Sequence, residues 1–194
     1  MDTPYIVFWE LTRACMLACK HCRAKAIKKR NPNELETEEC FNIIEQLSKF
    51  NPTPLLIITG GDPLMREDLV DVVDYASQNK IRVAVAFSGT YLATEEKLKA
   101  LRDAGMARMA ISIDGSTAEK HDGFRGFKGT FEESMKILSR AKKLGIPFQI
   151  NTTVTRDTIE DLPNIAKLCI EKGVVLWDVF FVVPTGRAKA ELMP

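Results

Sequence analysis

The sequence predicts a parallel α/β protein built from six strand–helix units in an open arrangement. Three observations point there. Six apolar, β-branched runs (5–11, 55–59, 81–87, 109–113, 148–154 and 174–183) recur about every 30 residues, the length of one strand–helix crossover. Several lack strict apolar–polar alternation, as strands covered on both faces do. Segments of helical period lie between them, and strict alternation of the two calls for a parallel sheet with right-handed crossovers. Six units are too few for the closed eight-fold barrel. A partial barrel or an open sheet remains.

Taken in order, the first strand runs into Thr12 and three cysteines. Thr37 suits the cap of the first helix, with Glu38 and Glu39 in its opening turn, and Cys40, Ile44 and Leu47 share a face. The second strand ends in Thr59-Gly-Gly-Asp-Pro63, and Leu69, Val72, Val73 and Ala76 keep the helical period after it. The third strand meets Ser88-Gly-Thr90; Thr94 caps the next helix and Gly105 stops it. Ser112-Ile-Asp-Gly115 closes the fourth strand. Thr130-Phe-Glu-Glu133 then has the form of a capping box for a helix ending at Gly145. Pro163 stands near the start of the last helix and Gly173 at its end, and the sixth strand reaches Pro184-Thr-Gly-Arg187. Glycines and hydrogen-bonding groups thus gather at the carboxyl ends of the strands, the edge where parallel α/β folds hold ligands.

Cys15, Cys19 and Cys22 fall within eight residues. An odd number of thiols this close cannot pair off in disulfides, and the spacing reads as a metal site. Three thiolates hold three corners of an iron–sulfur cube and leave the fourth iron open. Zinc is the rival, but it needs a fourth ligand, and His21 is bonded directly to Cys22. Cys40 and Cys169 lie on apolar helix faces and read as core, as do Trp9 and Trp177 in strands. Met16 shields the loop. His121 and Asp122 read as a loop hydrogen-bond motif beside flexible glycines.

Composition narrows the function classes. With 27 basic and 26 acidic residues the net charge is +1, which leaves no nucleic-acid footprint. No apolar run approaches a membrane span and no basic-then-apolar leader opens the chain, so a cytoplasmic protein is expected. Residues 25–30 form a basic run, read as a solvated loop or helix end, with a gate for an anionic substrate as the sharper alternative.

Cys15-x-x-x-Cys19-x-x-Cys22 after the first strand, Gly60-Gly61-Asp62-Pro63 after the second, Ser88, and Ser112-Ile-Asp114-Gly115 together resemble the radical S-adenosylmethionine superfamily over essentially the whole chain. His121-Asp-Gly-Phe-Arg125-Gly126, the closing Pro-Thr-Gly-Arg and Trp9-Glu-Leu-Thr-Arg-Ala-Cys resemble its SPASM-type branch, which contains haem-synthesis and peptide-modifying enzymes. Asp62 departs from the glutamate of most members. The resemblance implies a partial (β/α)6 barrel over residues 1–194, with the branch's cysteine-rich carboxyl-terminal domain expected to be absent. It implies a [4Fe–4S] cluster on Cys15, Cys19 and Cys22 and S-adenosylmethionine on its open iron. Reductive cleavage to methionine and a 5′-deoxyadenosyl radical follows, and that radical takes hydrogen from a tetrapyrrole or a ribosomally made peptide. A reductant such as flavodoxin or ferredoxin supplies the electron.

For the cofactor, the resemblance assigns Gly60 and Gly61 to close backbone approach and Asp62 to the ammonium or to capping the turn at Pro63. Ser88, Ser112 and Asp114 are assigned to ribose hydroxyls and carboxylate, Arg125 to the methionine carboxylate, and His21 and Asn151 to adenine. The competing reading is a non-catalytic iron–sulfur or zinc-binding α/β module.

Overall fold

The computed structural model describes residues 3–194. Six strands, β1 (Ile6–Thr12), β2 (Leu55–Gly60), β3 (Val83–Phe87), β4 (Met106–Ser112), β5 (Phe148–Val154) and β6 (Leu176–Phe181), pair in parallel and in chain order. Six helices, α1 (Thr37–Ser48), α2 (Leu69–Gln78), α3 (Glu95–Asp103), α4 (Ala118–Arg125), α5 (Thr130–Lys143) and α6 (Leu162–Lys172), connect them. The order chooses between the two architectures left open by the sequence. A doubly wound sheet reverses direction at a switch point, whereas crossovers of one hand stepping one way put every helix on the same face. The sheet therefore curls into a half-barrel with β1 and β6 as its edges.

One face of each strand feeds the core. Leu56, Ile58, Val83, Val85, Met109 and Ile111 are fully buried against Ile44, Leu69, Val72, Leu98, Leu101 and Ile137 of the helices. Burial of each side chain of this size contributes about 1.5–3 kcal/mol. The other face is different in kind. Ala84, Ala86, Ala110, Ser112, Gln149 and Asn151 alternate with those core residues, and their small or polar side chains leave the concave side open.

Three local expectations are corrected. Thr37 is the first residue of α1 rather than its cap; Glu36 holds that place, its N–H donating to Glu39 Oε2 at 2.9 Å, and the Thr37 hydroxyl donates to Asp68 instead. Thr130 does not open a capping box. The Asp122 carboxylate caps α5, accepting from the N–H groups of Gly129 (2.6 Å) and Phe131 (2.8 Å) and from the Thr130 hydroxyl. His121 and Asp122 stand in a helix, α4, which the flanking glycines hid. Thr94, Gly105, Gly145, Pro163 and Gly173 act as expected.

Candidate active site

At the end of β1 the chain turns back on itself in a hydrogen-bonded loop. The Ala14 N–H donates to Thr12 Oγ1, Cys15 N–H to the Ile27 carbonyl at 2.8 Å, and Ile27 N–H to the Arg13 carbonyl at 2.9 Å. The turn after β2 is stitched to this loop: Gly61 N–H donates to Thr12 O and Asp62 N–H to Ala14 O, both at 2.7 Å. A Cβ on Gly60 would lie 2.2 Å from the Thr12 carbonyl oxygen, and one on Gly61 equally close to that of Ala14. The two glycines are thus required by the approach of one backbone to another.

This stitching opens a cavity of about 250 Å³ at the carboxyl ends of the strands. Cys15, Cys19, Cys22 and His21 line it together with Gly60, Gly61, Ser88, Ser112, Arg125 and Asn151. Residues spread over 137 positions of sequence meet there. Ser88 bridges two parts of the wall, its hydroxyl donating to Gly61 O at 3.1 Å and lying 3.4 Å from Cys15 Sγ.

Two candidates stand behind the wall rather than on it. Asp62 is fully buried; it accepts from Leu64 N–H at 3.1 Å and from the Thr90 hydroxyl, capping the 3₁₀ turn Pro63–Met65. Burial pushes its carboxyl up to about 6, against the pull of those hydrogen bonds. Asp114, also fully buried, accepts from Thr153 N–H at 2.6 Å and pairs with Arg125. Arg125 in turn directs Nη1 at Cys19 Sγ, 3.8 Å away. Its charge lies between a carboxylate and a sulfur. Burial raises the Cys15 thiol, against the pull of the Ser88 hydroxyl and the Leu17 N–H. Burial, with Arg125 beside it, lowers His21 to about 4, leaving a neutral ring stacked on Phe124 at 4.4 Å.

Sequence reasoning missed three contributors. Glu10 and Arg23 form an ion pair at 2.5 Å on the cavity rim. Arg187, reached only after β6, donates from Nε to Cys19 O at 3.0 Å and from its backbone to Cys22 O, and so clamps the thiol loop from the far end of the chain. Gly186 precedes it where a Cβ would meet Cys22 O at 2.3 Å. The Pro-Thr-Gly-Arg run was the only signal, and it carried no partner. Cys40 and Cys169 lie in the helix-side core, apart from the cavity.

Residues 9–169 match the model of the Radical SAM superfamily. The chain belongs to that superfamily. Among curated proteins it is 46% identical to an AdoMet-dependent heme synthase of Oleidesulfovibrio alaskensis, over 94% of this chain and 47% of that protein. It is 34% identical to mycofactocin maturase MftC of Mycolicibacterium smegmatis, over 96% of this chain and 47% of that one. The fold superposes on SuiB of Streptococcus suis, solved bound to S-adenosylmethionine, with a TM-score of 0.83 at 16% identity, over 97% of this chain and 43% of SuiB. The chain spans about half the length of the curated relatives it matches.

Radical SAM membership implies a [4Fe–4S] cluster and S-adenosylmethionine, and the residues fit both. Three thiols on one wall are the donor set of a cube with one free corner. Among the described residues no three Cys, His, Asp or Glu side chains close on a point that would hold a single ion. The neighbouring strand ends supply carbonyl, hydroxyl and amide groups around a space that no side chain fills. Among the described residues no helix is long and apolar enough to cross a membrane.

Proposed function

We propose that residues 1–194 are the catalytic core of a radical SAM enzyme acting on a tetrapyrrole or a peptide. Cys15, Cys19 and Cys22 would hold the cluster and leave its fourth iron facing the strand ends. When bound, cluster and S-adenosylmethionine supply one-electron cleavage of a carbon–sulfur bond, giving methionine and a 5′-deoxyadenosyl radical that abstracts a substrate hydrogen.

The chain's own residues do the positioning. The loop stitched by Thr12, Ala14 and Ile27 fixes the thiols, and Arg125 and Arg187 hold it from two other elements. Gly60 and Gly61 present backbone groups to the methionine amino group. Asp62, buried behind them, supports the turn rather than touching the ammonium. Ser88, Ser112 and Asn151 offer polar groups to the nucleoside on the concave face, and neutral His21 offers a flat edge beside them. Asp114 fixes Arg125, so a methionine carboxylate would share that cation with it. The alanine floor of β3 and β4 leaves room beside the strand ends for cofactor and substrate.

The observation that carries this reading is the meeting of three thiols and the strand-end polar row in one cavity. Relatives named for haem synthesis and for peptide maturation support the two substrate classes. Anaerobic reconstitution with iron and sulfide, then dithionite and S-adenosylmethionine, tests it. Release of 5′-deoxyadenosine is expected; tight zinc binding without cofactor cleavage would favour the non-catalytic module.

A further inference from the structure

The concave face of the half-barrel changes character along the strands. At their carboxyl ends Ser88, Ser112 and Asn151 line the cavity already described. Lower on the same face one row runs level across four strands: Phe8 on β1 pairs with Ile57 on β2, Ile57 with Ala84 on β3, and Ala84 with Arg108 on β4. The residues beside them in sequence, Trp9, Leu56, Ile58, Val85 and Met109, pack into the helix-side core, so alternation turns the row toward the open side. Phe8 is 63% exposed there and Arg108 is half-buried. Four residues separate Arg108 from Ser112, about 13 Å along an extended strand. Ala84, Ala86 and Ala110 keep the space between them clear.

Arg108 is the exception among the arginines. Eight of the eleven bind a protein acceptor through the side chain. Arg82 and Arg156 do not, and both are exposed. Arg108 alone is half-buried with no acceptor among the described residues. The two acids of the strands are engaged elsewhere. Glu10 pairs with Arg23, and Asp178 accepts from Gln149 Nε2 at 2.7 Å, level with Ser112 rather than with Arg108.

We propose that this row is the substrate floor and that Arg108 pairs with a carboxylate of an otherwise apolar substrate. The inference rests on S-adenosylmethionine occupying the strand ends, which leaves the lower face to the substrate. A planar carboxylate meets the guanidinium fork through two parallel hydrogen bonds. Phe8 and Ile57 cover an apolar body beside it. A ring propionate and the carboxyl terminus of a peptide share this chemistry. Anchored there, the substrate has a fixed reach of about 13 Å toward the cofactor, which makes Arg108 a specificity-determining residue.

The test measures binding to the reconstituted holoprotein for two acid–amide pairs. One is coproporphyrin, a ring with four propionates, against its tetraamide; the other is an apolar peptide with a free carboxyl terminus against its amide. Wild type should bind the acid of at least one pair about tenfold more tightly than the amide. Arg108→Gln should erase that preference, and Arg108→Lys, which keeps the charge without the fork, should restore part of it. Phe8→Ala should weaken acid and amide alike. A preference confined to the porphyrin pair assigns the carboxylate to a tetrapyrrole, and one confined to the peptide pair assigns it to a peptide; either supports the anchor. No acid preference in wild type, or one that survives in a folded Arg108→Gln protein, would overturn the proposal. Release of 5′-deoxyadenosine by wild type is scored separately. Its presence beside an absent acid preference removes the anchor and keeps the cofactor reading, whereas its absence overturns the reading on which the anchor rests.

Discussion

Gly61 lies where the turn after β2 crosses the thiol loop, and a methyl group there would meet main chain rather than a side chain that can swing away. Gly61→Ala should therefore destabilise by about 1–3 kcal/mol and displace Cys15. Iron content after reconstitution should drop more than the melting temperature implies. The cysteines make a sharper contrast. Cys19→Ala should abolish the iron–sulfur absorbance, whereas Cys169→Ala, in the helix-side core, should leave it intact; equal loss in both would overturn the ligand assignment. Asp62 gives a pH prediction. Its folded carboxyl titrates at about 6, above the ordinary value of 3.8, so the unfolded chain gives up this proton first as pH rises. The group costs nothing below pH 3.8, an increasing amount between there and 6, and its full amount above. Asn keeps the acceptor for Leu64 N–H and carries no charge. Asp62→Asn should thus match wild type near pH 4 and gain on the order of 1–3 kcal/mol by pH 7, read from denaturant unfolding at both pH values. A constant difference across that range would refute the burial effect.

Among the elements, α5 depends on a carboxylate outside itself. Asp122→Ala removes three acceptor contacts at its amino end and should cost about 1–2 kcal/mol, with cluster binding retained. Arg66 plays a similar part for the first unit: buried, it spans Asp68, the Leu35 carbonyl and the Leu11 carbonyl. Elements of this kind mark the limit of what the sequence discloses. All six strands and five of the helices were legible from period and punctuation, because burial imposes a period and turns need glycine. Helix α4 was not, since glycines at 123 and 126 and a run of polar residues resemble a loop until Phe124, His121 and Arg125 are seen to be buried. The cap of α5 was misread for a related reason. Thr130 matches the local pattern, but a carboxylate eight residues earlier reaches the same N–H groups.

For the whole molecule, chain order of the strands is the fact that makes the cavity, and spacing alone left it open between a sheet and a half-barrel. The strand-end residues were legible as a set; which of them face the cavity was not, because Asp62 and Asp114 differ from Ser88 and Asn151 only in which side of the edge they occupy. The closure by Arg187 joins positions 168 apart and leaves no local trace. β6 is the other whole-molecule feature. Phe180 and Phe181 are 51% and 65% exposed on an edge strand, an arrangement that proteins usually cover. The 194-residue chain expressed by itself should self-associate, and Phe181→Lys should reduce that in light scattering; a monomeric wild type would contradict it. The central claim is that three thiols leave one iron of a cube free for S-adenosylmethionine. Electron paramagnetic resonance of the anaerobically reduced protein, before and after adding that cofactor, tests it most directly. A [4Fe–4S]⁺ signal that shifts on addition is the predicted result; no cubane signal, or one unchanged by the cofactor, would contradict it.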